Sequence, residues 1–117
     1  MEIVEKVKLR FKFQESEVEA RIDTGAEISM IDEEVLLKLG VTHVKNTAVD
    51  FGGVSKVLMP VYRPADIQIQ KCVINFPDII GGKKNLIGHD ILQKVKAVID
   101  EGKGTIEFPE DEGTIEM

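Results

Sequence analysis

The chain has 117 residues with a formal net charge of -6, 43% hydrophobic and 31% charged residues, and one cysteine. That length supports one domain with a modest core and is too short for two independent ones. The acid excess argues against nucleic acid as a partner, no apolar run approaches the roughly 20 residues of a membrane span, and a lone Cys72 excludes an intrachain disulfide.

Met1 to Lys6 lacks the apolar segment of a signal peptide, which points to an intracellular, cytoplasmic protein. From Lys6 to Gln14 the chain alternates, with Val7, Leu9, Phe11 and Phe13 on one face of a predicted half-buried strand. The polar run Gln14 to Glu17 reads as a turn, and Val18 to Ile22 resumes the alternation, so the pair predicts a hairpin that ends at Asp23. Asp23-Thr24-Gly25 is the next turn signal. By itself it is compatible with a plain structural connection. Its apolar flanks, Ile22 on one side and Ala26, Ile28, Met30 and Ile31 on the other, place that turn inside the fold, where a carboxylate needs a partner or a proton.

Asp32 to Gly40 carries an acidic cap, acids in the first turn, a cation in the last and a glycine stop, which predicts a helix of about two turns. Val41 to Val44 is expected as a brief strand, with a turn at Asn46-Thr47. A hairpin follows, its arms at Thr47 to Phe51 and Val54 to Leu58 and its tip at Gly52-Gly53, where glycine permits positive φ. Pro60 and Pro64 suggest that the returning strand bends or lies at an edge. Ala65 to Gln70 alternates, Cys72 to Phe76 is a further apolar strand in which Cys72 packs as a small side chain, and Ile79-Ile80 is a short apolar segment. Gly81 to Asn85 reads as a loop without the spacing of a phosphate-binding motif.

Leu86-Ile87 then meets Gly88, with Asp90 as the cap of a helix from Ile91 to Val95. Residues 97–100 and 104–108 flank Glu101-Gly102-Lys103 as a closing hairpin, and residues 109–117 read as an acidic flexible tail after a domain of residues 1–108. Neither His43 nor His89 stands in a metal-ligand spacing, so no metal and no cofactor is expected. The sum is an all-β domain, a small closed barrel-like sheet with two short helices.

Three stretches in order, Asp23-Thr24-Gly25-Ala26, the glycine-rich hairpin around Gly52-Gly53, and Leu86-Ile87-Gly88, together resemble the retroviral-type (retropepsin-like) aspartic proteases. The resemblance implies an acid-protease fold in which Asp23, Thr24 and Gly25 form the catalytic turn and Gly52, Gly53 and Val54 the tip of a flap over the substrate. It also implies that Ala26, Glu27 and Ile87 touch substrate, and that Gly88 lets the chain pass close behind the catalytic turn. Two features depart from the viral pattern. An acid and an arginine pair there, whereas this chain has Glu27 and His89, a weaker pair near neutral pH. The extra hairpin after residue 97 resembles cellular relatives, such as the protease-like domains of ubiquitin-shuttle proteins.

Acid hydrolysis of a peptide needs one carboxylate to take a proton and another to give one. This chain holds one Asp-Thr-Gly. Either it is not an enzyme, or a homodimer brings two copies of Asp23 together around a peptide or unfolded protein substrate. The rival is a non-catalytic dimeric module of the same fold that binds peptide or supports assembly.

Overall fold

The structure is a computed structural model that describes residues 2–50, 56–108 and the backbone of 115–116. It is mostly β, with two short helices, as the alternating patterns imply. Among the described residues, ten strands form one curled sheet in the order β12 (Ile115–Glu116), β7 (Cys72–Asn75), β6 (Asp66–Ile69), β1 (Val4–Phe11), β2 (Gln14–Ile22), β9 (Leu86–Ile87), β3 (Met30–Asp32), β8 (Ile79–Gly82), β5 (Lys56–Arg63) and β4 (Thr42–Asp50), and β10 (Val98–Asp100) pairs with β11 (Thr105–Glu107) in a second.

The first hairpin joins β1 (Val4–Phe11) to β2 (Gln14–Ile22) in register from Val4↔Arg21 to Phe11↔Gln14. Its turn is therefore Lys12-Phe13, not the polar run Gln14 to Glu17. Lys12 takes the left-handed conformation with φ of 56° and Phe13 stands fully exposed at the tip, while Gln14 to Glu17 continue the strand. Val7, Leu9 and Ala20 point into the core at 0% exposure, so the alternation set the buried face correctly up to the turn.

β3 (Met30–Asp32) leads into α1 (Glu33–Leu39), where the Asp32 carboxylate accepts from the Glu34 N–H at 2.9 Å and Gly40 closes the helix with φ of 76°. The brief strand and turn expected between Val41 and Thr47 are instead one long strand, β4 (Thr42–Asp50), with a bulge between His43 and Lys45. A bulge absorbs an extra residue without ending the ladder, so Asn46 and Thr47 pair with Pro60 and Met59 of β5 (Lys56–Arg63). Pro60 is tolerated because β5 bonds its other neighbour only at Val61 and Tyr62. The predicted tip, Gly52, Gly53 and Val54, lies outside the described residues.

β6 (Asp66–Ile69) and β7 (Cys72–Asn75) form a tight hairpin through Gln70, and the strand stops one residue earlier than expected because Phe76 turns to φ of 52° and is exposed. Cys72 is buried at 1% exposure. The Gln70 side chain donates to the Ile106 carbonyl at 3.0 Å and accepts from the Phe108 N–H at 3.2 Å, which fastens the closing hairpin and its buried Ile106 and Phe108 to the main core. Within the segment expected to be a flexible tail, β12 (Ile115–Glu116) runs parallel to β7. No helix among the described residues is long and apolar enough to cross a membrane.

Candidate functional site

The site is set by one topological feature. β9 (Leu86–Ile87) is inserted between β2 and β3, parallel to β2 through Arg21↔Leu86 and Ile22↔Ile87 and bridged to β3 through Met30↔Leu86. The chain joining β2 to β3, residues 23–29, must therefore arch over the end of β9. Asp23-Thr24-Gly25 lies on this arch.

Backbone bonds hold the arch at both feet. The Asp23 N–H donates to the Ile87 carbonyl at 2.9 Å, the Ala26 N–H to the Asp23 carbonyl at 3.2 Å, and the His89 N–H to the Ala26 carbonyl at 2.7 Å. Gly88 sits where these segments touch. A Cβ there would lie 2.7 Å from the Ala26 carbonyl oxygen and 3.0 Å from the backbone of Ile28, so only glycine fits, as the sequence implies.

Behind the arch lies a buried polar lock that the sequence did not reveal. Ser29 is the buried polar side chain among the described residues, at 0% exposure. Its hydroxyl donates to Asp90 Oδ1 at 2.7 Å and accepts from the Gly88 N–H at 2.8 Å, while its N–H donates to the same carboxylate at 3.1 Å. Asp90 was expected to cap the second helix. It lies instead in the first turn of α2 (His89–Val95), whose cap position is Gly88, and its carboxylate is committed to Ser29 and the Ile91 N–H. No ion pair joins Glu27 to His89, and both side chains are exposed. The arch and α2 are thus tied together by Ser29 and Asp90, which lie two residues after Glu27 and one after His89.

Asp23 is half-buried and the turn around it is exposed, contrary to the expectation of a turn tucked inside the fold. The reason is that the arch stands at the end of β9 with Thr24 and Gly25 exposed and none of the described residues covering them. Asp23 Oδ1 accepts from the Gly25 N–H at 3.1 Å, and Oδ2 from Arg21 Nη2 at 3.1 Å. Thr24 is exposed, and its hydroxyl has no hydrogen bond among the described residues. Gly25 is not forced by space, since an added Cβ would stand 3.4 Å from Asp23 Oδ1.

Asp23 borders a cleft of about 960 Å³. Arg21, Gly25, Ala26, Glu27 and Ile28 line it from the arch, Ala48, Val49, Asp50, Lys56 and Met59 from the β4–β5 hairpin, and Ile80, Gly82, Lys83, Lys84 and Leu86 from the third side. Its floor is a separate apolar cluster of Met30, Ile80 and Leu86, against which Val49 and Met59 of the hairpin pack. Of the residues singled out from sequence, Asp23, Gly25, Ala26 and Glu27 meet at this cleft. Ile87 does not. It is fully buried in the main core, and Leu86 faces the cleft in its place, because adjacent strand residues point to opposite faces. Gly52, Gly53 and Val54 lie outside the described residues, beyond the arms that end at Asp50 and Lys56.

Arg21, Lys83 and Lys84 are lining residues that motif reading missed; for Arg21 the signal was available in the strand period that puts it on the same face as Asp23, whereas the bend holding the lysines has no such period. No group of three or more metal-ligating side chains gathers among the described residues. No family model matches the chain and no curated protein matches it, so the functional reading rests on this geometry.

Proposed function

We propose that the protein is an aspartic endopeptidase of the retropepsin-like kind, active as a homodimer in which two copies of Asp23 share one site. The observation that carries the reading is the Asp23 carboxylate, half-buried at the edge of an apolar-floored cleft and held by the Gly25 N–H on an arch that Gly88 and Ser29 brace from behind. The exposed face of Asp23-Thr24-Gly25 leaves room for a second copy of the same turn.

In such a dimer two carboxylates too close to ionise together hold one proton between them. The ionised member takes a proton from water as the oxygen attacks the peptide carbonyl, and the protonated member gives its proton to the carbonyl oxygen. A tetrahedral diol results. Return of one hydroxyl proton to a carboxylate, protonation of the amide nitrogen by the other carboxylate and breakage of the C–N bond then release an acid and an amine. An extended peptide would lie along the cleft beneath the β4–β5 hairpin, bonded largely through its main chain.

A non-catalytic dimeric peptide-binding module is the second reading. It draws on Arg21, whose guanidinium occupies Asp23 Oδ2. Cleavage of a peptide library at several pH values by wild type and by Asp23→Asn separates the two. The protease reading expects cleavage by wild type alone, and tighter binding of a peptide bearing a hydroxyl in place of the scissile carbonyl than of the plain peptide. Absence of cleavage by wild type at every pH would favour the module.

A further inference from the structure

The chain carries 15 cations against 21 acids, yet the cleft reverses that balance, with four cations, Arg21, Lys56, Lys83 and Lys84, against three acids. Arg21 binds Asp23 directly, and Lys83 and Lys84 line the same cleft. The Arg21 N–H donates to the Asn85 carbonyl at 3.0 Å, which holds the bend carrying Lys83 and Lys84 against the end of β2. Asn85 is pinned a second time, its side-chain oxygen accepting from the Asp32 N–H at 2.8 Å. The lysines are therefore presented between a strand end at Gly82 and an anchored residue. Lys83 and Lys84 are exposed and have no acidic partner among the described residues. Arg21 spends one N–H on Asp23, and a guanidinium has five.

We propose that the cleft selects an acidic peptide, with Arg21, Lys83 and Lys84 receiving a glutamate or aspartate side chain next to the bond that is cut; this rests on the protease reading for the cut itself. An apolar floor accepts the neighbouring side chains, and Glu27 and Asp50, which also line the cleft, make the preference positional rather than a general attraction to negative charge. Arg21 has a double task in this arrangement. It offsets the repulsion between the incoming carboxylate and Asp23 while binding both.

The test uses three peptides that differ only in carrying Glu, Gln or Lys at a residue flanking the scissile bond, one series for each flank. The expected order is Glu over Gln over Lys in kcat/KM, with about a tenfold gap between Glu and Gln in one series, shrinking as salt rises. In a Lys83→Glu/Lys84→Glu variant the order of Glu and Lys should invert. Equal cleavage of all three, or an unchanged order in the variant, overturns the acidic preference and leaves the protease reading intact. If wild type cleaves none of them, the protease reading fails, and fluorescence anisotropy of the same peptides decides the preference. Equal affinity for the Glu and Lys peptides would then overturn it, as would tighter binding of a single-stranded oligonucleotide than of the Glu peptide.

Discussion

Ser29 and Asp90 show what a single residue contributes to the site. With Ser29 fully buried, its hydroxyl satisfies both the Gly88 N–H and the Asp90 carboxylate, so Ser29→Ala strands a donor and part of a charged acceptor at once. Such a loss costs about 1–3 kcal/mol, read as a lower urea midpoint with an unchanged slope. A change under about 0.5 kcal/mol would mean that water replaces the hydroxyl and the lock is dispensable. None of this was legible in sequence, because a serine in an apolar run carries no sign of its partner sixty residues on. Gly88 was legible through the family resemblance, and a Cβ there would meet the Ala26 carbonyl. Tyr62 offers a pH test. Burial pushes its hydroxyl above the ordinary tyrosine range, and the adjacent Glu33 carboxylate, which accepts from it at 2.7 Å, pushes it further in the same direction. The folded state thus holds the proton more tightly than the unfolded chain, so this contribution to stability is full below pH 10.0 and is lost as pH rises through the higher folded value. Ultraviolet titration of this tyrosine, the one in the sequence, should show phenolate appearing later in the folded protein than after denaturation. Coincident curves would contradict the assignment.

At the scale of elements, the strands that alternate and the helix that is capped were readable, and those shaped by packing were not. β1 and α1 follow from local pattern, Val7 and Leu9 for the strand and Asp32 with Gly40 for the helix. β4 was broken in two by reading Asn46-Thr47 as a turn, although a bulge and a long partner carry those residues straight through. Gly81 and Gly82 were read as loop because glycine weakens strands. They belong to β8 (Ile79–Gly82), which runs parallel to β3, and the lack of side chains there makes room for the Tyr62 ring and Met30. The two glycines differ in what surrounds them. At Gly81 a Cβ would lie 2.6 Å from the Tyr62 ring, which is held by Glu33, whereas at Gly82 it would meet the flexible Met30 side chain. Gly81→Ala should therefore cost about 1–3 kcal/mol by overpacking, and Gly82→Ala less, because methionine repacks readily. Thermal melts of the two variants check this, and a larger loss at Gly82 would contradict it. The same logic of alternation corrected the cleft, putting Leu86 where Ile87 was expected.

At the scale of the whole molecule, the proposed chemistry requires two chains to complete one site. One Asp-Thr-Gly arch, exposed at its tip, supplies one carboxylate, and the proposed chemistry needs two. Sedimentation at working concentration should report about twice the 13.0 kDa of the chain, and a stable monomer that cuts peptide would defeat the paired-carboxylate reading. Activity should trace a bell in pH whose two limbs belong to the pair jointly. The all-β architecture was legible in the sequence, whereas the arch over β9 was not, because it depends on a strand from the far end of the chain inserted between two early ones. Subunit mixing tests the shared site most directly. Wild-type and Asp23→Asn chains are combined in varied ratio, allowed to exchange, and assayed at constant total protein. If each site needs both carboxylates, mixed dimers are inactive and activity falls as the square of the wild-type fraction, leaving about one quarter at an equal mixture. A linear fall, with about one half remaining, would show that one Asp23 suffices and would contradict the account.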